Sequence, residues 1–202
     1  MKYKIEQDDD INESPREWDN LGTMVCWHNR YNLGDEQPRE TPEQYQLNMV
    51  SDFFTDTEYD HVWEWAAYND LCAWKEKVEK LLEKHFIYLP LYLYDHSGIT
   101  MNTSGFRCPW DSGQVGFIYV SIANVKKEYG WNRLTSKRRK QIESYLKQEV
   151  EEYDQYLTGD VWGYVIEDDE GEHIDSCWGF YGYDECEREA KEMLKWAEKE
   201  SA

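Results

Sequence analysis

Residues 88–94 have the sequence YLPLYLY, with leucine at each odd position and tyrosine or proline at each even one. Successive side chains of a β-strand point to opposite faces, so the leucines share one face and the tyrosines share the other. Proline cannot donate a hydrogen bond to a neighbouring strand. The pattern therefore predicts a strand that either lies at a sheet edge or carries a bulge at Pro90.

The flanking segments extend this strand into a sheet. Residues 113–121, GQVGFIYVS, are apolar on both faces, which is typical of a central strand covered on both sides. Residues 23–28, TMVCWH, alternate over a shorter length and predict another strand. Residues 95–113 are rich in Ser, Gly and Thr, so we expect a loop there.

Helical periodicity marks three segments with apolar residues at spacings of three and four, and Pro42 after Thr41 suits the first turn of another helix. Thr41 and Thr135 are good N-caps, and Asp184 with Glu187 three residues later has the pattern of a capping box. Gly159 is suited to end the third helix. The predicted helices cover residues 44–54, 70–86 with an alternative start near Asp60, 136–157, and 184 onward.

A charged turn at residues 168–171, DDEG, separates two alternating segments and predicts a β-hairpin over residues 161–180. Strands of antiparallel type and separate helices together indicate an α+β fold, with an antiparallel or mixed sheet and helices packed on one face. We expect an acidic N-terminal segment over residues 1–20, partly ordered at best, and a single α+β domain over residues 21–202.

The chain is strongly acidic, with 42 acidic against 22 basic residues and a net charge of -20. Such a charge argues against sequence-independent binding to DNA, RNA or anionic membranes over most of the surface. The charge is uneven: residues 1–70 carry -12, residues 71–147 carry +6 and residues 148–202 carry -14. The composition also argues against a disordered chain, because 16% of the residues are aromatic.

The sequence favours a cytoplasmic protein. No apolar run approaches the ~18 residues that a membrane span requires. The first residues, MKYKIEQDDD, lack the apolar core of a secretory signal. The five cysteines are odd in number and widely scattered, which is typical of reduced thiols and not of a disulfide framework.

The loop at residues 95–113 holds the densest set of reactive side chains. A cysteine nucleophile needs a base within hydrogen-bond reach and a group that orients the base. Cys108, with His96 as the base and Asp111 as the orienting group, could supply these roles in a hydrolase. The alternative is a turn-rich loop whose Asp and Ser side chains bond to nearby backbone.

A metal site is a second interpretation of the same loop. Cys26 and His28 are two residues apart on the strand predicted at 23–28, so both would face one side. With His96 and Cys108 they would complete a Cys2His2 set suited to zinc. However, the sequence has no CxxC pair, no HExxH and no glycine-rich nucleotide-binding motif. We therefore expect no cofactor.

Four consecutive bases, Lys137, Arg138, Arg139 and Lys140, fall in the first turn of a predicted helix. The helix macrodipole disfavours positive charge there, so helix stability does not explain them. They either dock an acidic segment of the same chain or contact phosphate or an acidic partner. The first alternative is slightly favoured.

Two stretches are distinctive, SPREWDNLGTMVCWHNRY at 14–31 and YDHSGITMNTSGFRCPWDSGQVGFIYVS at 94–121, and the segments YDQYLTG at 153–159 and DSCWGF at 175–180 accompany them. Together they resemble a family of uncharacterised proteins found in phages and integrative elements of Gram-positive hosts. The family has no agreed activity, so the resemblance implies only a context. Small acidic proteins of mobile elements are often anti-defence factors, such as anti-CRISPR or antirestriction proteins.

The leading hypothesis is a non-enzymatic inhibitor that binds the basic nucleic-acid groove of a host defence protein, partly as a nucleic-acid mimic. Two alternative hypotheses are the Cys108 hydrolase and a nucleic-acid binder that acts through residues 137–140. We expect no membrane binding, and the overall charge disfavours direct binding to nucleic acid. The acidic residues expected to contact the partner are Asp8, Asp9, Asp10, Glu149, Glu151, Glu152, Asp154, Glu167, Asp168, Asp169, Glu170 and Glu172.

Overall fold

The computed structural model describes residues 1–10, 13–55 and 71–200, and the fold is α+β, as the sequence predicts. Within these ranges seven strands form two antiparallel sheets. The strands are β1 (Lys2–Gln7), β2 (Thr23–Cys26), β3 (Phe86–Asp95), β4 (Ile99–Asn102), β5 (Ser112–Ser121), β6 (Val161–Glu167) and β7 (His173–Tyr181). The α-helices are α1 (Pro42–Val50), α2 (Leu71–His85), α3 (Ile122–Glu128), α4 (Ser136–Thr158) and α5 (Tyr183–Glu200), and short 3-10 turns cover Pro15–Glu17 and Ser51–Phe53.

The four-stranded sheet has the order β2-β5-β3-β4 and is covered on both faces. On one face, Ile118 and Val120 of β5 pack with Ile142 and Leu146 of α4 in the largest buried cluster. On the other face, Tyr119 packs against the cluster formed by α1 and α2. Because helices cover both faces of the sheet, β5 carries apolar side chains on both of its faces, as the sequence indicates.

Pro90 lies in β3 opposite Phe117 of β5, and a register shift follows between Leu91 and Tyr92. The fourth strand pairs with β3 only from Tyr92 onward. At Pro90, β3 therefore has one neighbouring strand among the described residues, and no second ladder needs the missing N–H. Leu91 pairs with Gly116 and Tyr92 with Gln114, so the extra residue is Val115 and the bulge lies on β5, not at Pro90 as predicted.

The three-stranded sheet has the order β1-β6-β7, and α5 covers one of its faces. Tyr164 and Ile166 of β6 form a buried cluster there with Cys186 and Ala190 of α5. The expectation that residues 1–20 are partly ordered at best is corrected for Lys2–Gln7, which forms β1. The alternating Tyr3 and Ile5 pack against that cluster and account for the strand.

The helix ends follow the sequence signals at most places. Thr41 and Thr135 cap α1 and α4 through their side-chain oxygens, and Gly159 ends α4 with a left-handed φ of 70°. Asp184 is not an N-cap, because α5 begins at Tyr183. Glu187 bonds instead to Lys191 and Tyr3. The alternative start of α2 near Asp60 lies outside the described residues.

No helix in the described ranges combines the length and the apolar composition that crossing a bilayer would require.

Candidate functional site

Acidic residues from four parts of the chain meet at one end of the three-stranded sheet, where β1 and β7 end and β6 begins. The backbone N–H of Asp8, after β1, donates to the carbonyl of Val161 at 2.9 Å, and that of Gly182, after β7, donates to Asp160 at 2.9 Å. The last residues of β1 and β7, the first residue of β6 and the start of α5 therefore lie together. We call the resulting surface the acidic edge, defined as Asp8, Asp9, Asp10, Glu13, Glu152, Asp160, Asp184 and Glu185.

Several of these carboxylates lie close enough to Tyr181 to affect the pKa of its phenol. Burial raises the pKa of its phenol, and the negative charges of Glu152, Asp8 and Glu13 raise it further. Glu152 is itself affected, because burial and then the charge of Glu149 raise the pKa of its carboxyl group. Acids from the N-terminal segment and from α4 thus act on one side chain of β7.

This convergence gives a first prediction. In Glu152→Gln one negative charge beside Tyr181 disappears, so the phenolate is less disfavoured and the pKa of Tyr181 falls. The measurement is an NMR titration of tyrosine labelled with ¹³C at Cζ, with the Tyr181 signal assigned from Tyr181→Phe. Glu170→Gln at the tip of the β6–β7 hairpin is the control and leaves that pKa unchanged. The same pKa of Tyr181 in both variants would contradict the placement of Glu152 beside Tyr181.

Glu149, one of the acids expected to contact a partner, serves the interior of the fold. Its carboxylate accepts hydrogen bonds from the backbone N–H of Leu21 at 2.8 Å and of Gly22 at 3.2 Å. It also pairs with Arg16 at 3.0 Å. Arg16 in turn bonds to Asp35 through two nitrogens, at 2.9 and 2.6 Å. This network joins the segment before β2 to α4, so we leave Glu149 out of the binding surface.

Several other predicted contact residues are also engaged inside the chain. Asp154 accepts the N–H of Met101 at 2.6 Å and thereby fixes β4 against α4; burial raises the pKa of its carboxyl group. Glu167 pairs with Lys4 at 2.5 Å on the neighbouring strand. Asp168 accepts two backbone N–H groups of the hairpin turn. These three carboxylates have local structural roles.

The remaining predicted acids are more exposed. Asp9, Asp10, Glu151, Glu170 and Glu172 lie at the surface, and Asp169, although paired with the amino terminus, keeps 93% of its side chain exposed. The seven residues of β6 separate the acidic edge from the hairpin tip, which corresponds to about 23 Å along the strand. The two acidic ends of the three-stranded sheet are thus held at a fixed separation.

The three-stranded sheet and its helix carry most of the net charge. Residues 1–10 and 160–200 contain 18 acids and 6 bases, which gives -12 of the total -20. Arg16, whose charge acts on Glu152, does not neutralise the edge, because it is buried between Asp35 and Glu149. Burial alone would lower the pKa of Arg16, but these two carboxylates raise it, so the guanidinium stays charged.

Aromatic side chains accompany the acids at this edge. Trp18 is 47% exposed and makes an edge-to-face contact with Tyr181 at a ring-centroid distance of 5.6 Å. Tyr183, at the start of α5, is 44% exposed. An open depression of about 510 Å³ lies between Tyr181, Tyr183 and the neighbouring acids Asp160 and Asp184. Exposed aromatic rings are enriched at protein–protein contact surfaces.

The Cys108 loop has a different geometry from the one its hydrolase interpretation needs. The thiol lies 3.5 Å from a carboxylate oxygen of Asp111, and His96 lies 3.4 Å from the same oxygen. Asp111 is thus the shared partner, and the thiol bonds to a carboxylate and not to the imidazole that would have to accept its proton. The backbone N–H of Asp95 donates to the carbonyl of Asp111, which closes the loop at 2.8 Å. Local turn stabilisation accounts for this arrangement.

The proposed Cys2His2 set does not form. Cys26 is fully buried in the core, and burial raises the pKa of its thiol to about 12. The strand ends at Cys26, so His28 does not share its face and stacks on Tyr31 instead. Among the described residues, which include His96 and Cys108, no group of three or more His, Cys, Asp or Glu could hold a metal ion.

The basic cluster does not dock an acidic segment of the described chain. Arg139 donates to the backbone carbonyls of Glu83 and Phe86, at 3.0 and 3.4 Å, and so binds the C-terminal end of α2, where the helix dipole is negative. Arg138 lies over the ring of Trp131 at 4.5 Å. Lys137 and Lys140 are exposed, and no carboxylate in the described ranges pairs with either.

Comparisons of the chain with protein-family models, curated proteins and solved structures found no match.

Proposed function

We propose that this chain is a non-enzymatic inhibitor that binds the basic nucleic-acid groove of a host defence effector, partly as a nucleic-acid mimic. The concentration of charge on one unit of the fold carries the proposal: residues 1–10 and 160–200 hold a net charge of -12. The effector is a cytoplasmic enzyme such as an RNA-guided nuclease or a restriction enzyme. This assignment agrees with the phage and integrative-element context that the sequence resemblance implies.

The spacing of the charge supports mimicry of a nucleic acid. Duplex DNA carries one charge per ~1.7 Å, so a net charge of -12 corresponds to about 20 Å of duplex. The unit that carries this charge has similar dimensions, because β6 spans about 23 Å and α5 about 27 Å. The acidic surface therefore offers such a groove a charge density comparable to that of duplex DNA.

The exposed aromatic residues give the surface a second source of affinity. Trp18 and Tyr183 lie beside the acids of the edge, where an arginine-rich groove offers guanidinium groups to stack on them. Charge alone steers a complex and sets its rate of formation, whereas buried aromatic anchors slow its dissociation. The proposal therefore expects the partner to contact acids and rings together.

A cleavage assay tests the proposal directly. Linear DNA is cut by a guide-loaded nuclease or by a restriction endonuclease in the presence of increasing amounts of the chain. We expect the cleavage rate of at least one effector to fall about tenfold or more near physiological salt. Undiminished cleavage by every effector tested, with the chain in large molar excess, would overturn the proposal.

A further inference from the structure

We propose that a second surface, formed by Arg133, Lys137, Arg138 and Lys140 with the rings of Tyr129, Trp131 and Tyr145, binds single-stranded nucleic acid. We call it the basic aromatic face. It goes beyond the proposed function, because it uses none of the residues of the acidic edge. It would let the chain contact the nucleic acid that an effector carries, as well as the effector itself.

The rings form a column beside α4. Arg138 lies 4.5 Å from the ring of Trp131, and Trp131 stacks on Tyr129 with 4.6 Å between centroids. Tyr129 is nearly parallel to Tyr145, at 6.4 Å. Tyr129 and Tyr145 are 36% and 37% exposed. Proteins that bind single strands combine aromatic rings, on which bases stack, with arginine and lysine side chains that follow the backbone.

The charge around this column is positive in sum, although the carboxylates of Glu128 and Glu149 act on Tyr129. Residues 126–147 contain eight bases and two acids. Arg133, Lys137 and Lys140 are exposed, and none of them forms an ion pair with a described carboxylate. Lys137 and Lys140 also lie in the first turns of α4, where the helix dipole disfavours them. Their placement costs stability, which an anion bound at this surface would offset.

The face is electrostatically separate from the acidic edge. Lys140 is the base of this face nearest to Glu152 along α4, and the twelve positions between them correspond to about 18 Å along the helix. The Debye length near physiological salt is ~8 Å, so the acids of the edge are largely screened at this distance. The net charge of the whole chain therefore does not prevent an anion from binding here.

Exposed rings favour a single strand over a duplex. The bases of a duplex are already stacked on one another, whereas those of a single strand are free to stack on side chains. The rival occupant is the acidic edge of a second copy of the chain, which has the complementary charge. Light scattering at low salt distinguishes the two, because only binding to a second copy raises the mass of the chain's particles in the absence of an oligonucleotide.

Fluorescence anisotropy of a labelled oligothymidine strand provides the test. We expect the variant Arg133→Gln, Lys137→Gln, Lys140→Gln to bind about a hundredfold more weakly near 0.1 M salt, with a salt slope reduced by about 2, since each lost contact contributes ~0.7. The matched control changes Lys191, Lys195 and Lys199 of α5 to Gln, and leaves binding unchanged. Circular dichroism checks that both variants keep their fold.

Tyr145→Ala tests the stacking contribution and should weaken binding at least about fivefold. Tyr183→Ala, an equally exposed ring on the other sheet unit, should not. The proposal is overturned if the unaltered chain does not bind the strand at low salt, or if the two triple variants bind equally. It is also overturned if low-salt light scattering shows self-association that the α4 triple variant abolishes, because the face then belongs to a second copy.

Discussion

Replacing Arg16 by methionine is expected to lower the free energy of unfolding by about 3 to 5 kcal/mol. The side chain is only 5% exposed and holds Asp35, Glu149 and the carbonyl of Gly22 together. Methionine fills a similar volume but leaves the carboxylates of Asp35 and Glu149, of which 22% and 14% are exposed, without a counter-charge. Their repulsion and the unsatisfied carbonyl both act against the folded state.

Urea unfolding, followed by tryptophan fluorescence, measures this loss as a lower midpoint with an unchanged slope. Arg188→Met is the matched control. Arg188 is an exposed residue that pairs with Glu185 and Glu189 on α5, so its loss should cost less than about 1 kcal/mol. Similar losses in the two variants would show that the Arg16 network does not hold the segment before β2 against α4.

Neutralising the acidic edge is expected to abolish most of the inhibition. The variant combines Asp9→Asn, Glu13→Gln, Glu152→Gln and Asp184→Asn. If each carboxylate contributes roughly 0.7 kcal/mol to the complex, their joint loss weakens it about a hundredfold. None of the four takes part in the Arg16 network, and removing them reduces the repulsion within the edge. The variant should therefore remain folded.

The matched control for this variant removes four exposed acids from α1, the turn after it and α2: Glu43, Asp52, Glu79 and Glu83. It has the same net charge as the edge variant but an intact acidic edge. The inhibition constant from the cleavage assay should rise in the edge variant and stay within about twofold in the control. An equal rise in both would mean that net charge, and not the edge, determines binding.

Much of the fold could be predicted because its signals are local. Three of these signals depend on only a few neighbouring residues: the alternation around Pro90, the N-cap Thr135 and the C-cap Gly159. Three elements were missed: β1, β4 and α3. The strand β4 lies in a segment rich in Ser, Gly and Thr, and its few apolar residues become significant only when Met101 packs in the core.

The functional surface was less predictable, because exposure is a property of the folded chain. The sequence identifies acidic residues, but Glu149 and Glu152 look equivalent on the same helix. One of them faces Arg16, which lies 133 residues away in sequence, and the other faces Tyr181. Local charge patterns carry no information on such distant partners, so the acidic edge could be defined only after the strands were paired.

The most direct test of the acidic-edge proposal is the apparent inhibition constant measured as a function of DNA concentration and of salt. The proposal predicts that this apparent constant rises linearly with the DNA concentration, because the chain and the DNA compete for one groove. It also predicts that inhibition weakens steeply as salt screens the acidic edge. Inhibition that is independent of DNA concentration and insensitive to salt would contradict the proposal.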